Sequence, residues 1–304
     1  MYQAINRYSI KRGIRQTAFM LIFGLVLLPA QARQDVAKDQ FNVRTGGTLF
    51  LDVDYASVDV QTHGASEVLV VMEREFEGAS RDERKELLSR HEYSFEQDGN
   101  DVIVEVRFEE KGDRSWRRWK GDHDVDVHLS ITIPTEYNVE FRSGAGDVDI
   151  DDLVGFIEGR TGAGNIRIGM TEGSVDVASG AGDVRVRGAR GDVYVQSGAG
   201  NVTLDDVEGQ IEARTGAGNI VATVSRDLAG SSSFDTGAGN VTVYLDERVG
   251  ADIRAKASLG SARTDYDLLI KGKYMSKSFS GEVNGGGPTI TMSAGVGNVS
   301  LRRN

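Results

Sequence analysis

A tetrapeptide that recurs at a fixed interval limits the folds open to this chain more than any other feature. From Ser143 the pattern Ser/Thr-Gly-Ala-Gly returns five times, each time followed by Asp or Asn and then by Val or Ile. The interval is about 18 residues, and a fixed period of this size is typical of proteins built from stacked repeats. Only the last interval is slightly longer. The later copies begin at Thr161, Ser179, Ser197, Thr215 and Thr236.

Each repeat contains two segments in which apolar and polar residues alternate, and this alternation is typical of half-buried strands. Repeats stacked in register, about 4.8 Å apart, would turn the apolar positions into continuous buried columns. The sequence therefore predicts an all-β fold, a single-chain parallel β-solenoid with about 18 residues per coil. The columns are Val148/Ile166/Val184/Val202/Ile220/Val241, Ile150/Ile168/Val186/Leu204/Ala222/Val243, Ile157/Val175/Val193/Ile211 and Gly159/Val177/Val195/Ala213.

Two other solenoids complete a coil with a repeat of the same length. A left-handed hexapeptide helix would need apolar residues six positions after the first column. Those positions are Val154, Glu172, Arg190 and Glu208, so this fold is excluded. A calcium-binding β-roll of nonapeptides is the second alternative. Calcium prefers carboxylates, whereas neutral Asn follows the second Gly in most repeats. The sequence therefore favours a structural role for this Asp/Asn position.

The Gly-Ala-Gly triplet predicts a tight corner, because Gly reaches positive φ at no steric cost. The Ala between the two Gly residues is expected to point into the core at this corner. Asp or Asn follows, and stacked Asn side chains form hydrogen-bonded ladders. We therefore predict a ladder through Asp147/Asn165/Asp183/Asn201/Asn219/Asn240.

Residues 1–32 have the features of a secretory signal peptide. Four basic residues precede an apolar run from Ala18 to Leu28, and Ala30-Gln31-Ala32 follows it. The run is short for a bilayer-spanning helix, although a retained membrane anchor is the alternative. We expect export, cleavage after Ala32 and no transmembrane segment in the mature chain.

Cysteine and charge narrow the possible partners. The chain has no Cys, so we expect the mature protein to have no disulfides and no lipid attached to Cys. Its 35 Lys and Arg against 46 Asp and Glu give a net charge of −11, and an acidic surface disfavours nucleic acid. We expect a periplasmic or extracellular protein with no cofactor, whose partner is an envelope protein or polysaccharide.

Residues 33–142 are expected to form a β-rich region that packs on the solenoid. Alternating apolar residues predict one or two leading coils, a hairpin and a long strand that ends at Pro134. Ser80 and Glu83 have the spacing of a capping box, which predicts a short helix over residues 81–91.

Residues 143–304 comprise the repeats and a C-terminal cap. After the last copy the spacing loosens, because residues 265–287 interrupt the pattern. We expect this insertion to form a closing hairpin, and residues 289–292 and 299–301 to form the closing strands.

A short run of His and Asp is the first candidate site. If the two Val residues of His-Asp-Val-Asp-Val-His point inward, Asp124, Asp126 and His128 share the outer face of a strand at spacings that a transition metal can use. Solvated strand faces of mixed charge are far commoner than metal sites on strands. We therefore predict no metal and keep these three residues as the alternative.

Both Trp residues of the chain lie in residues 111–120, among five basic residues of an acidic protein. Exposed Trp and Arg are typical of recognition surfaces, and they would suit anionic polysaccharide, lipid head groups or an acidic protein patch. The alternative is that the Trp side chains cover a hairpin or a sheet edge. The candidate interaction surface comprises Arg114, Trp116, Arg117, Arg118, Trp119 and Lys120.

Catalysis finds little support in the sequence. All four His residues precede the repeats, so the regular coils hold no Ser-His-Asp arrangement. The outward column of the second segment contains one aromatic residue and no acid–base pair for glycoside cleavage. We predict that the protein is not an enzyme, with a polysaccharide-degrading enzyme on a solenoid scaffold as a remote alternative. That column is Glu158/Asp176/Tyr194/Glu212.

The repeat unit, the motif Gly-Gly-Gly-Pro-Thr-Ile at residues 285–290 and the ending Val-Gly-Asn-Val-Ser-Leu at residues 296–301 together resemble the bacterial "putative adhesin" family. This family is a β-solenoid domain of unknown function, and the resemblance covers residues 46–301. It implies an envelope-associated protein and offers no catalytic residues to transfer.

These features together predict an exported, non-enzymatic protein of the cell envelope with a structural or adhesive role. A carbohydrate-binding module that uses residues 116–120 is the alternative function.

Overall fold

Two long β-sheets form the two sides of a stack of coils. The computed structural model describes residues 34–76, 80–108, 125–225, 228–272 and 276–304, all of which belong to the compact unit Arg33–Asn304. Each sheet contains 13 strands, and most neighbouring strands are parallel. The predicted all-β fold is confirmed.

The strands are numbered in chain order. Before and at the first corner lie β1 (Gln34–Asn42), β2 (Thr48–Tyr55), β3 (Ser57–His63), β4 (Glu67–Phe76), the helix α1 (Arg81–Leu88), β5 (His91–Asp98), β6 (Asp101–Phe108), β7 (Val125–Pro134) and β8 (Asn138–Ala145). The repeats form β9 (Val148–Ile150), β10 (Leu153–Val154), β11 (Ile157–Ala163), β12 (Ile166–Glu172), β13 (Val175–Ala181), β14 (Val184–Ala189), β15 (Val193–Ala199), β16 (Val202–Leu204), β17 (Ile211–Ala217), β18 (Ile220–Val224), β19 (Ser232–Ala238) and β20 (Val241–Leu245). The last strands are β21 (Ala251–Leu259), β22 (Ala262–Thr264), β23 (Ile270–Lys271), β24 (Lys277–Val283), β25 (Thr289–Val296) and β26 (Val299–Arg303).

The order of strands in space defines the two sheets. Sheet A runs β1-β4-β7-β3-β9-β12-β14-β16-β18-β20-β26-β22, with β10 beside β12. Sheet B runs β23-β24-β21-β25-β19-β17-β15-β13-β11-β8-β2-β6-β5.

Within the repeats, successive coils pair in parallel, and each residue lies beside its equivalent in the next repeat. In sheet A, Val184 pairs with Ile166 on one side and Val202 on the other. In sheet B, Val193 pairs with Val175 in the same way. All four predicted apolar columns are buried between the sheets. Each Val or Ile so buried contributes about 1.5–3 kcal/mol, which explains why the alternation persists through every repeat.

The predicted Asp/Asn ladder is present at the corner between the sheets. Asn201 shows the pattern: its backbone N–H donates to Asp183 Oδ1 at 2.7 Å, and its own Oδ1 accepts the N–H of Asn219 at 3.0 Å. The same bonding continues through Asn240 to Asn298. The ladder therefore supplies partners for backbone N–H groups that leave the strands at each corner.

The corner also shows that one prediction is wrong, because the Ala is exposed in every copy after the first, whereas the Ser or Thr that begins each copy is buried. Ser179 is 3% exposed, whereas Ala181 is exposed. Ser179 continues the inward alternation of β13, and its hydroxyl donates to the Gly164 carbonyl at 2.9 Å. A buried hydroxyl with a partner is well tolerated. Equivalent bonds join Ser197 to Gly182, Thr215 to Gly200 and Thr236 to Gly218.

The second Gly of each repeat is required by backbone geometry and by space. Gly182 has a φ of +151°, and a Cβ there would lie 2.1 Å from the carbonyl oxygen of Gly164 in the preceding coil. A side chain would force the two coils apart. The tetrapeptide is therefore explained by the tight corner alone.

The helix α1 begins with the predicted capping box. Ser80 accepts from the backbone N–H of Glu83, and the Glu83 carboxylate accepts from the backbone N–H of Ser80. The helix ends at Leu88, short of the predicted limit at His91, and Leu87 is buried against neighbouring residues.

At the N-terminal end, the order of strands in space departs from their order in the chain. β2 and β3 lie between the coil formed by β6 and β7 and the coil formed by β8 and β9. Leu49 consequently pairs with Val139, which lies far away in the sequence. β4 and β1 then extend sheet A, and β5 extends sheet B, all by antiparallel pairing.

At the C-terminal end, β25 and β26 lie inside the stack, between β19–β20 and β21–β22. The prediction that residues 289–292 and 299–301 close the stack is therefore wrong. Ile290 occupies the same inward column as Ile253 of β21, and this shared apolar pattern allows a later segment to insert between two earlier ones. β24 and β23 follow β21 at the edge in antiparallel pairing.

Candidate functional site

The outer face of sheet A carries a file of charged side chains fixed in register. Asp59, Asp149, Arg167 and Arg185 are directly paired neighbours on β3, β9, β12 and β14. Each follows a buried residue such as Val58 or Val148, so the alternation of the strands directs these side chains to solvent. The parallel backbones hold the charges one strand spacing apart, about 4.8 Å.

A shallow depression of about 380 Å³ opens beside this file. Gly169 lies between Asp151 and Arg187 in the neighbouring file of outward residues and contributes no side chain to it. A Cβ at Gly169 would lie 2.8 Å from the backbone N of Asp152 and 2.2 Å from its Oδ1, so a side chain would require the neighbouring backbone to shift. The polar residues that line the depression are Asp59, Gln61, Asp149, Asp151, Arg167, Arg185 and Arg187.

The arginines of the depression make exposed ion pairs. Arg167 Nη1 lies 3.2 Å from Asp147 Oδ2 and 3.1 Å from Asp149 Oδ2, and Arg187 pairs with Asp152. Their side chains are 51% and 60% exposed. Exposed pairs of this kind contribute about 0–1 kcal/mol. A carboxylate or hydroxyl group of a ligand can therefore exchange with the internal partners at small cost.

Electrostatics keep both Arg167 of the depression and its partner Asp147 charged. Partial burial would raise the pKa of Asp147, but hydrogen bonds from Asn165 and Arg167 outweigh it and hold that pKa below its ordinary value. Hydrogen bonding to Asp149 raises the pKa of Arg167 above its ordinary value. Both groups are therefore ionised at neutral pH.

Of the three residues proposed for a metal, the structure describes two. His128 is half-exposed on β7, with Nε2 3.1 Å from Asp59 Oδ2. Asp126 lies opposite Glu75 on the neighbouring strand, and Asp124 is outside the described residues. No group of three or more His, Cys, Asp or Glu side chains is arranged to hold a metal within the described part of the chain. His128 instead extends the charged face toward β4.

The Trp/Arg surface predicted at residues 114–120 lies outside the described residues, as does the predicted signal peptide at residues 1–32. Along the chain, residues 109–124 join β6 to β7. The only helix in the described ranges is α1, and no described helix is long and apolar enough to cross a membrane.

The outer face of sheet B carries the outward column predicted from the second segment of the repeat. Glu140, Glu158, Asp176 and Tyr194 stack in register. Desolvation, helped by the charges of Glu158 and Asp101, raises the pKa of Glu140 above its ordinary value. The column presents three adjacent carboxylates, one ring and then a fourth carboxylate, that of Glu212.

The charged file of sheet A was missed by sequence reasoning, although the signal was present. Position 149 and its equivalents 167 and 185 follow the first apolar column by one residue, so the period that predicts the core also predicts this file. The depression could not be found in this way, because Asp59 and Gln61 belong to β3, which joins the file from outside the repeats.

Comparison with solved structures finds distant similarity over most of the chain. A protein from Bacteroides fragilis described as a "putative adhesin" is 13% identical with a TM-score of 0.41, covering 89% of this chain and 97% of its own. A "putative cell adhesion protein" from Clostridium sporogenes is 12% identical with a TM-score of 0.29, covering 89% and 99%. A "putative lipid binding protein" from Parabacteroides distasonis is 8% identical with a TM-score of 0.26, covering 89% and 97%. At these TM-scores the similarity establishes no function.

Comparison with curated proteins finds no match. The model of one protein family, by contrast, matches residues 52–302, which is most of the chain. That span includes β3 to β25 entirely, and with them the charged face of sheet A. The chain therefore belongs to the Toastrack DUF4097 family.

Proposed function

We propose that this protein is an exported, non-enzymatic protein of the cell envelope that uses the outer face of sheet A as an adhesive surface. The observation that carries the proposal is the file of Asp and Arg side chains beside an open depression, held in register by four parallel strands. Such a surface binds by contact along its length and needs no reacting group.

The chemistry of the face suits an extended polar ligand. Arg185 and Arg187 present planar guanidinium groups that bind carboxylates with two hydrogen bonds. Asp149 and Asp151 accept hydrogen bonds from hydroxyl or amine groups. A polysaccharide that carries carboxylates, or an envelope protein with a mixed-charge strip, offers both kinds of partner.

The carbohydrate-binding alternative remains a proposal for Trp116 and Trp119. It is supported by the concentration of both Trp residues and five basic residues in one short segment. We propose in addition that residues 1–32 direct export. The pairing of Val184 with its equivalents in both neighbouring repeats supports a coil of about 18 residues. The antiparallel pairing of β24 with β21 supports a closing role for residues 265–287.

Binding to a glycan array and to envelope extracts tests the adhesive surface. Arg185→Ala with Arg187→Ala should reduce capture at least about tenfold, because the depression loses its two most exposed cations. Arg160→Ala, an exposed Arg on sheet B, is the matched control and should bind as the parent does. The loss of binding in Trp116→Ala with Trp119→Ala alone would favour the carbohydrate-binding module, and product release from an envelope polysaccharide would contradict the non-enzymatic role.

A further inference from the structure

The two parts of the chain differ strongly in charge. Residues 34–245 contain 21 Lys and Arg against 40 Asp and Glu, whereas residues 246–304 contain nine against six. The N-terminal and central coils are therefore strongly acidic, and the C-terminal end of the stack is basic.

The basic charge is concentrated at the C-terminal edge of sheet B. Lys271 lies on the edge strand β23 opposite Ser278, which in turn lies opposite Lys256 on β21, so both Lys residues share the outer face. Both are exposed, and neither has a hydrogen-bond or ion-pair partner among the described residues. Ile270 lies opposite the buried Phe279 and points toward the inner face, but at this edge it stays 44% exposed.

The N-terminal edge of sheet B has the opposite character. Its edge strand β5 places Glu92 and Glu96 on the outer face, both exposed and without an ion-pair partner among the described residues. Tyr93 and Phe95, which alternate with them, face inward: Phe95 packs against the core, and Tyr93 lies under the buried Arg74 at 5.1 Å. Tyr93 is nevertheless 44% exposed, because nothing in the described part of the chain continues the sheet beyond it.

We propose that the C-terminal edge of sheet B binds the N-terminal edge of sheet B in a second copy of this chain. In that contact Lys271 of the edge strand lies beside Glu92 and Glu96 on the outer side, and Lys256 lies two strands behind it and adds to the same positive potential. Ile270 packs toward Tyr93 on the inner side. No strand of the described ranges pairs with the outer side of β23 or β5, so sheet B can continue from one copy into the next. The contact is head-to-tail and leaves a free edge at each end, which permits chains of more than two copies.

The charge pattern favours a second copy over a membrane surface. Proteins commonly protect open edges with charges, and two edges of the same sign would repel one another. Here the signs are opposite, and the chain itself supplies an acidic surface with an exposed apolar side chain that matches the basic one. An anionic membrane would match only the C-terminal edge.

Sedimentation velocity of the purified protein tests the contact. Raising the NaCl concentration from about 20 mM to about 500 mM shortens the screening length severalfold. We expect a weight-average mass of at least about twice the monomer at low salt and high protein concentration, falling to the monomer at high salt.

A charge swap distinguishes this contact from nonspecific aggregation. Lys256→Glu with Lys271→Glu, and separately Glu92→Lys with Glu96→Lys, should each weaken self-association at least about tenfold. An equimolar mixture of these two variants should associate again, because every contact between one variant and the other joins opposite charges, whereas contacts between identical copies join like charges. Arg160→Glu, on an exposed position in the middle of sheet B, is the matched control and should associate as the parent does.

A protein that is monomeric at every salt and protein concentration overturns the proposal. So does a mixture of the two charge-reversed variants that stays monomeric while circular dichroism shows both to be folded. Binding to vesicles of anionic phospholipid without self-association would assign the basic edge to a membrane instead. None of these outcomes affects the adhesive face of sheet A, which lies on the other sheet.

Discussion

The middle of the stack and its two ends are built from the same kind of coil but in different ways. From β9 to β20, the coils stack in the order in which they occur in the sequence, and each strand pairs with its equivalent in the next repeat. At the ends, β2–β3 and β25–β26 are inserted between coils that precede or follow them by many residues. Both ends then finish in antiparallel strands.

The difference shows what the sequence period does and does not determine. A repeated apolar pattern fixes which face of each strand is buried, since a slip of one residue would expose the whole column. It does not fix the order in which equivalent coils stack. Insertion of a coil near each end means that the first and last strands of the repeats are covered by long-range pairing, which protects them from fraying.

The largest effect is expected from a charge placed in the middle columns. Val184→Asp buries a carboxylate without a partner in a position that is 1% exposed, and it should destabilise the fold by at least about 4 kcal/mol or prevent folding. The matched variant at the end, Val36→Asp, changes a side chain that is 56% exposed on the edge strand β1. It should change the free energy of unfolding by less than about 1 kcal/mol. Similar urea midpoints for the two variants would mean that the buried face is assigned wrongly.

A smaller contrast is expected for Gly→Ala substitutions. Gly182→Ala places a Cβ 2.1 Å from a carbonyl oxygen of the preceding coil and should cost about 3 kcal/mol, the upper range for a strained backbone position. Gly99→Ala, in the turn between β5 and β6, has a φ of +63° but nothing within 4 Å, and should cost about 1 kcal/mol. Thermal unfolding of both variants measures the difference. An equal loss of stability in the two variants would show that the corner at Gly182 is not close-packed.

The N-terminal end is expected to weaken in mild acid before the middle does. Burial, with the charge of Arg74 adding to it, lowers the pKa of His91 from 6.5 to about 4. As the pH falls below 6.5, the unfolded chain takes up this proton and the folded chain does not. The contribution of neutral His91 to the free energy of unfolding is therefore complete above pH 6.5 and is lost progressively down to about pH 4. The total loss is about 2 kcal/mol after allowance for the partial exposure of His91.

Hydrogen exchange at pH 7 and pH 5 measures this loss locally. β5 and β6 should lose protection at pH 5, while β13 and β15 should keep theirs. His91→Phe retains the edge-to-face contact with Phe108 and should remove the pH dependence of β5. An unchanged pH dependence in that variant would assign the effect to another group.

The smallest contrast concerns the buried hydroxyl groups of the corners. Ser197 Oγ donates to the Gly182 carbonyl at 2.9 Å, so Ser197→Ala should cost about 1 kcal/mol. Ser143 Oγ, in the first corner, is buried without a partner among the described residues. Ser143→Ala should therefore be neutral or stabilising by up to about 1 kcal/mol. A loss at Ser143 equal to that at Ser197 would show that the first corner has the same bonding as the others.

The sequence predicts the structure of the middle of the stack, because the pattern that determines it lies within each repeat. The columns through Val148 and Val193 follow from alternation alone, and the ladder through Asn201 follows from the chemistry of Asn at a corner. The Ala of the corner was assigned inward because it is apolar. The hydroxyl of Ser179 takes that place, since a carbonyl of the preceding coil accepts its hydrogen bond.

The ends could not be predicted in the same way. Leu49 pairs with Val139 across a long stretch of chain, and no period connects them. The depression on sheet A depends on this same insertion, because β3 contributes Asp59 and Gln61 to it. The part of the candidate site that lies within the repeats was therefore readable from the sequence, and the part contributed by β3 was not.

Disulfide trapping tests the inserted coils most directly, because the chain has no Cys of its own. Ser300 lies between Thr242 and Arg263 on three adjacent strands of sheet A. Paired neighbours about 4.8 Å apart are within disulfide range, whereas strands two apart are not. Mild oxidation should therefore cross-link Thr242→Cys with Ser300→Cys and leave Thr242→Cys with Arg263→Cys reduced. Cross-linking of the second pair and not the first would show that the coils stack in chain order, and would contradict the account.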